Sequence, residues 1–140
     1  MHSSCLCGRF PIVRAEIHGR VLVVDDEPLV RWALVAGLRH AGFDAAGAAG
    51  PEEAEKLAPP PDLILLDVGL WGRDPLHVLE AIRSIAPLAR ILLLAVEGQA
   101  VPVPAWQDVD VIRKPFDLDA VVRRVGTTLA CQSHGVRMAV

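Results

Sequence analysis

Asp25, Asp26, Asp67 and Lys114 stand where apolar runs end. Arg20-Val21-Leu22-Val23-Val24 runs into Asp25-Asp26, Leu63-Ile64-Leu65-Leu66 into Asp67, and Val109-Asp110-Val111-Ile112 into Lys114-Pro115. A single Asp after an apolar run is an ordinary turn residue, and Asp67 alone supports nothing more. Charges recurring at the same end of successive buried runs point instead to one shared pocket. Three carboxylates meeting there repel one another unless a cation joins them. All-oxygen donors with room for water favour Mg²⁺ over zinc. A carboxylate beside Mg²⁺ is competent as a nucleophile toward phosphorus, the metal neutralising the phosphoryl oxygens. Lys114 would supply a second positive contact to the same group.

Such a pocket needs parallel strands that end together. The run from Leu63 to Leu66, bounded by Pro59-Pro60-Pro61 and Gly69, has the continuous apolar character of a strand covered on both faces. Residues 20–24, Ile91 to Ala95 and Val109 to Ile112 read the same way, whereas Phe43 to Ala48 is Ala/Gly-rich and weakly strand-like. Between them lie helical patterns. One starts at Pro28, with Asp25 or Asp26 as its cap, carries Leu34, Val35, Leu38 and Ala41, and stops near Gly42. A short one runs from Pro51 to Leu57. A third, Pro75 to about Ile85, places Leu76, Leu79 and Ile82 on one face. A final helix starts at Asp117 and carries Leu118, Val121, Val122, Val125 and Leu129 at spacings of three and four. The fourth crossover, Val96 to Asp108, is broken by Gly98, Pro102 and Pro104, so its helix is expected to be short or degenerate. Five strands alternating with helices predict an α/β fold with a doubly wound parallel sheet.

The 140 residues suffice for one domain, 52% hydrophobic and 4% aromatic, hence an aliphatic core. A net charge of −3 without a Lys/Arg block argues against nucleic-acid binding. No apolar run has the length of a membrane span, and Met1 to Cys7 lacks the pattern of a secretory signal, which predicts a cytoplasmic protein. Cys5, Cys7 and Cys131 have no zinc spacing. His40 and His77 read as surface residues, and Trp32 and Trp106 as candidates for a partner surface. Residues 1–19 are expected to be a poorly ordered N-terminal extension, 20–130 the folded domain and 131–140 a C-terminal tail.

The pieces from Val21 to Pro28, Leu65-Leu66-Asp67 and Arg113-Lys114-Pro115-Phe116, in that order at strand ends, resemble a response-regulator receiver domain of a two-component system. The resemblance implies a flavodoxin-like sheet of order 2-1-3-4-5 with its site at the topological switch point. It implies Asp67 as phosphoacceptor and Asp26 as direct Mg²⁺ ligand, with Asp25 helping through water. The Gly69 backbone carbonyl would complete the metal site, and Lys114 would bind the phosphoryl oxygen. The phosphoryl donor would be a histidine kinase or histidine phosphotransfer protein.

Four positions depart from the family pattern. Aligned without gaps from Asp67, the family's strand-4 Ser/Thr falls on Ala95 and its aromatic switch residue on Val111. The proline after the phosphoacceptor falls on Trp71, and the glycine before the third helix on Pro75. The lost hydroxyl removes about 1.5–3 kcal/mol of stabilisation from a phosphorylated form. That predicts a stand-alone receiver whose acceptor chemistry is retained and whose readout is atypical, acting through protein contacts on an unknown downstream partner. The first helix and the loop around Trp71 are its expected partner surface. The competing reading is a receiver-like module that binds partners whether or not Asp67 is modified. A small Mg²⁺-dependent phosphatase would share the Asp nucleophile but lacks a substrate cap and a second acid/base.

Overall fold

The computed structural model describes residues 19–57, 60–69, 74–96, 109–114 and 117–139. In chain order these form β1 (Arg20–Val24), α1 (Pro28–His40), β2 (Asp44–Ala48), α2 (Pro51–Glu55), β3 (Leu63–Asp67), α3 (Pro75–Ile85), β4 (Arg90–Val96), β5 (Val109–Lys114) and α4 (Leu118–Ala139). The strands build one sheet in the order β2-β1-β3-β4-β5, with every adjacent pair parallel. This is the expected doubly wound arrangement. Because the chain leaves β1 toward β2 and returns to β3 on the other side, the carboxyl ends of β1 and β3 flank the point where the winding reverses.

Both faces of the sheet are covered, which explains why the strands read as unbroken apolar runs. On one face Leu22, Val24, Ile64, Leu66, Ile91, Leu93 and Ala95 pack with Ala54 of α2 and Val78, Leu79 and Ile82 of α3. On the other, Val21, Val23, Leu63, Leu65, Leu92 and Leu94 meet Leu34 and Leu38 of α1 and Val121, Val125 and Leu129 of α4. The edge strand β2 is poor in bulky residues, and its place is set by five register pairs with β1, Arg20↔Asp44 through Val24↔Ala48.

Several local expectations need correction. Neither Asp25 nor Asp26 caps α1: the N-cap is Glu27, without a side-chain cap bond. Asp25 Oδ1 accepts the N–H of Glu27 itself at 2.9 Å, which closes the turn one residue before the helix. Leu76 is 39% exposed and leaves the buried face of α3 to Val78, Leu79 and Ile82. One turn from the N-terminus, that face is set by Val78 rather than by its neighbour two residues earlier. Ala41 is the exposed C-cap of α1 rather than a packed residue, and Gly42 after it takes φ +103°. Asp117 caps α4 as its position predicts, Oδ1 accepting the N–H of Ala120 at 2.6 Å. α4 continues through residues 131–139, the stretch read as a tail. The fourth crossover at 97–108, with Trp106, lies outside the described residues, as do residues 1–18 and Trp71.

Candidate functional site

Side-chain parity places the acidic residues. Val21, Val23 and Asp25 alternate along and beyond β1, and Leu63, Leu65 and Asp67 alternate along β3, so both carboxylates follow the face covered by α1 and α4. β1 and β3 are direct neighbours in register, Val24 opposite Leu66, which brings Asp25 level with Asp67. Backbone bonds extend the sheet into the loops above: Asp25 N–H donates to Ala48 O at 3.0 Å, and Val68 N–H to Leu94 O at 2.9 Å. The segments carrying the carboxylates are thus continuations of rigid strands.

Asp25, Asp26 and Asp67 converge so that one carboxylate oxygen from each lies within 4.8 Å of the others. Asp25 is fully buried and Asp67 is 7% exposed, while Asp26 is half-buried toward solvent. One oxygen of each buried carboxylate is held by backbone. Asp25 Oδ1 accepts from Glu27 N–H, and Asp67 Oδ1 accepts the N–H of Gly69 at 3.0 Å. α1 begins two residues after Asp26, so the positive end of its dipole lies close to the group. Arg31, in the first turns of α1, donates from Nη1 to the main-chain carbonyl of Asp25 at 2.7 Å. The sequence singled out Asp25, Asp26 and Asp67 but missed Arg31. Its only signal is a basic residue six positions past the first Asp.

The donor set fits a hard divalent cation. Mg²⁺ takes oxygen ligands at about 2.0–2.1 Å, so two ligands of one octahedral ion stand about 3–4 Å apart. Oxygens already within 4.8 Å of one another need move little to reach that spacing. Two of the three carboxylates lie in a low-dielectric interior where their mutual repulsion is strong, which gives a cation something to neutralise.

The remaining predicted positions fall at the same end of the sheet. Gly69 follows Asp67 by two residues in the turn above β3. Lys114 closes β5, its backbone opposite Val96, and its side chain lies outside the described part. Ala95 is completely buried one residue beyond Leu94, the β4 partner of Asp67, and packs on the face covered by α2 and α3. Val111 is partly buried against the core on the α2 and α3 side, opposite Leu93. Pro75 opens α3, whose N-cap Asp74 accepts the Leu76 N–H at 3.3 Å. Among the described residues no helix is long and apolar enough to cross a membrane.

Comparison with known proteins agrees with this geometry. The family model of the response regulator receiver domain matches residues 21–126. The probable transcriptional regulatory protein TcrX of Mycobacterium tuberculosis is 36% identical over 115 residues, 78% of this chain and 49% of the relative. The DNA-binding transcriptional regulator NtrC of Escherichia coli is 34% identical over 112 residues, 76% of this chain and 24% of the relative. The chain therefore spans about half or less of these curated relatives. Among solved structures, a CheY-like response regulator receiver domain protein from Methanospirillum hungatei superposes with a TM-score of 0.69 at 26% identity, covering 81% of this chain and 94% of that one. With its matched span, strand order and acidic group together, this chain belongs to the response regulator receiver domain family.

Proposed function

We propose that this chain is a phosphoacceptor of two-component signalling in which Asp67 takes a phosphoryl group from a histidine kinase or a histidine phosphotransfer protein. A carboxylate oxygen of Asp67 attacks phosphorus, the bond from phosphorus to the donor imidazole nitrogen breaks with its electron pair going to that nitrogen, and the imidazole, already protonated on its other ring nitrogen, leaves neutral. The observation that carries the reading is the convergence of Asp25, Asp26 and Asp67 at the switch point of a receiver-type sheet. Asp26, the most exposed of the three, would hold Mg²⁺ directly and Asp25 through water, with Asp67 and the Gly69 carbonyl completing the site. Bound there, Mg²⁺ supplies charge neutralisation for phosphoryl oxygens. The Gly69 N–H fixes one Asp67 oxygen and leaves the other to react. Lys114, at the end of β5, would contact the transferred group.

Ala95 and Val111 leave this receiver without the family's hydroxyl and ring, so the signal would travel through protein contacts that do not need that pair. Leu29 and Trp32, 76% and 71% exposed on α1, offer an apolar surface for such contacts. Those departures also favour the second reading, a module that binds partners constitutively. Against it stands the retention of three mutually repelling carboxylates, which a passive scaffold has no physical reason to keep.

Intact-mass measurement after incubation with a small phosphodonor separates the two. The acceptor reading expects an acid-labile phosphoryl adduct that requires Mg²⁺ and is absent in Asp67→Asn. A folded wild-type chain that forms no adduct, beside a control receiver that does, leaves the constitutive module.

A further inference from the structure

We propose that Arg31 is a positioning residue of the acidic site: its guanidinium holds the peptide between Asp25 and Asp26, and the missing side chain at Gly47 keeps its path open. The inference rests on the reading above, in which these carboxylates hold a divalent cation.

Arg31 Nη1 donates to the Asp25 carbonyl oxygen at 2.7 Å, the length of a charge-assisted bond. That carbonyl belongs to the peptide joining the two aspartates, so a single contact restrains the backbone from which both carboxylates extend. Two further restraints act on Asp25 itself, its N–H on Ala48 O and its Oδ1 on Glu27 N–H. The arginine bond comes from a side chain of α1, and it acts on the link to Asp26.

The path of that side chain is narrow. A Cβ placed on Gly47 would lie 2.9 Å from Arg31 Cγ, 3.1 Å from Cδ and 3.3 Å from Val35 Cγ2. The stem of Arg31 therefore runs from α1 across β2 at a spot where only glycine lets it pass without shifting. The Gly47 φ is unexceptional, since Gly42 alone among the described residues has positive φ, so the glycine serves the close approach and not a turn. Edge strand, first helix and acidic pocket are coupled through one side chain.

A positive group near a cation site opposes cation binding through charge and favours it through placement, and the two effects have opposite signs on removal. Magnesium affinity by calorimetric titration, measured well below the melting temperature, and the rate of adduct formation from a small phosphodonor read that sign. The variants are Arg31→Met, Arg31→Lys and Gly47→Ala. Positioning predicts that Arg31→Met weakens Mg²⁺ binding about tenfold although it removes a like charge, a size matching the loss of one charge-assisted hydrogen bond. Arg31→Lys should recover to within about threefold, and Gly47→Ala, with the charge kept, should weaken binding in the same direction. Equal or tighter Mg²⁺ binding by Arg31→Met, or by Gly47→Ala should Arg31→Met not melt cooperatively, overturns the proposal. A wild-type chain that neither binds Mg²⁺ nor labels refutes the acceptor reading itself, whereas a wild type that does both beside unaffected variants refutes only the role of Arg31.

Discussion

In metal-free buffer of low ionic strength, replacing Asp67 by Asn should make the protein more stable. Oxygens of Asp25, Asp26 and Asp67 lie within 4.8 Å of one another. At that separation each like-charged pair repels by about 0.9 kcal/mol at the dielectric of water and about 3.5 kcal/mol at an effective dielectric of 20. Asp67→Asn removes two such pairs at once. The asparagine carbonyl can still accept the Gly69 N–H, so that bond loses only its charge assistance, about 1 kcal/mol, to which imperfect solvation of the new amide adds. The half-exposure of Asp26 pulls the pair energies toward the lower bound, leaving a net gain of about 1–2 kcal/mol. For a chain of this size that raises Tm by about 3–6 °C. Thermal melts followed by circular dichroism in a chelator, with and without added NaCl, would show the variant melting later and the gap narrowing with salt. If the three carboxylates hold Mg²⁺ as proposed, saturating Mg²⁺ should then raise wild type more than the variant. An Asn variant that melts earlier than wild type in the chelator would mean that the three carboxylates do not crowd one another, and the case for a cation would lose its electrostatic basis.

Three further outcomes follow from positions already described. Ala95→Thr adds a methyl and a hydroxyl at a site with no exposure, so it should cost about 1–3 kcal/mol in chemical denaturation of the unmodified protein. On the acceptor reading it should recover part of that cost with the phosphoryl mimic beryllofluoride bound, and equal costs in both states would count against a phosphoryl group beside Ala95. Leu38→Ala, fully buried under α1, should cost about 2–5 kcal/mol in a urea melt, while Trp32→Ala, 71% exposed, should stay within about 0.5 kcal/mol. Asp117→Ala, removing the 2.6 Å cap bond of α4, should cost about 0.5–2 kcal/mol in the same melt.

The order of elements was legible because each strand reads as an apolar run and each described helix starts at a proline or a capping aspartate. Pro28, Pro51 and Pro75 all sit at first helical positions, and Asp117 caps α4. The weak reading at 43–48 came right through position alone: β2 has little side-chain signal since, as an edge strand, it is held by its register with β1. Leu76 misled because one apolar residue at the edge of a helical face cannot be told from a buried one without the partner helix. The three carboxylates were legible as strand-end charges, yet their mutual distance depends on β1 and β3 being neighbours, a long-range fact no local pattern contains. Arg31 was illegible for the same reason. Its bond goes to a main-chain carbonyl, which has no residue identity to read, and its path depends on a glycine sixteen positions away across the sheet.

The site and the departures from the family pattern occupy different strands, and this separation shapes the proposed signalling. The acidic group hangs on β1 and β3, central in the sheet and packed on both faces. Ala95 and Val111 lie on β4 and β5. On the proposed reading, a hydroxyl at Ala95, at the carboxyl end of β4, would let β4 follow a charge appearing on Asp67. A buried methyl makes no differential contact with the two states of that carboxylate, and a group without differential contact shifts no equilibrium. On the proposed reading, any population shift would then come from the groups assigned to the phosphoryl region, Lys114 at the end of β5 and the β1–α1 corner held by Arg31. Of these, the β1–α1 corner leads directly into the helix that exposes Leu29 and Trp32. On this reading the output of the domain moves from β4 and β5 to α1, and substitutions at Trp32 should alter partner binding while leaving the rate of Asp67 labelling unchanged.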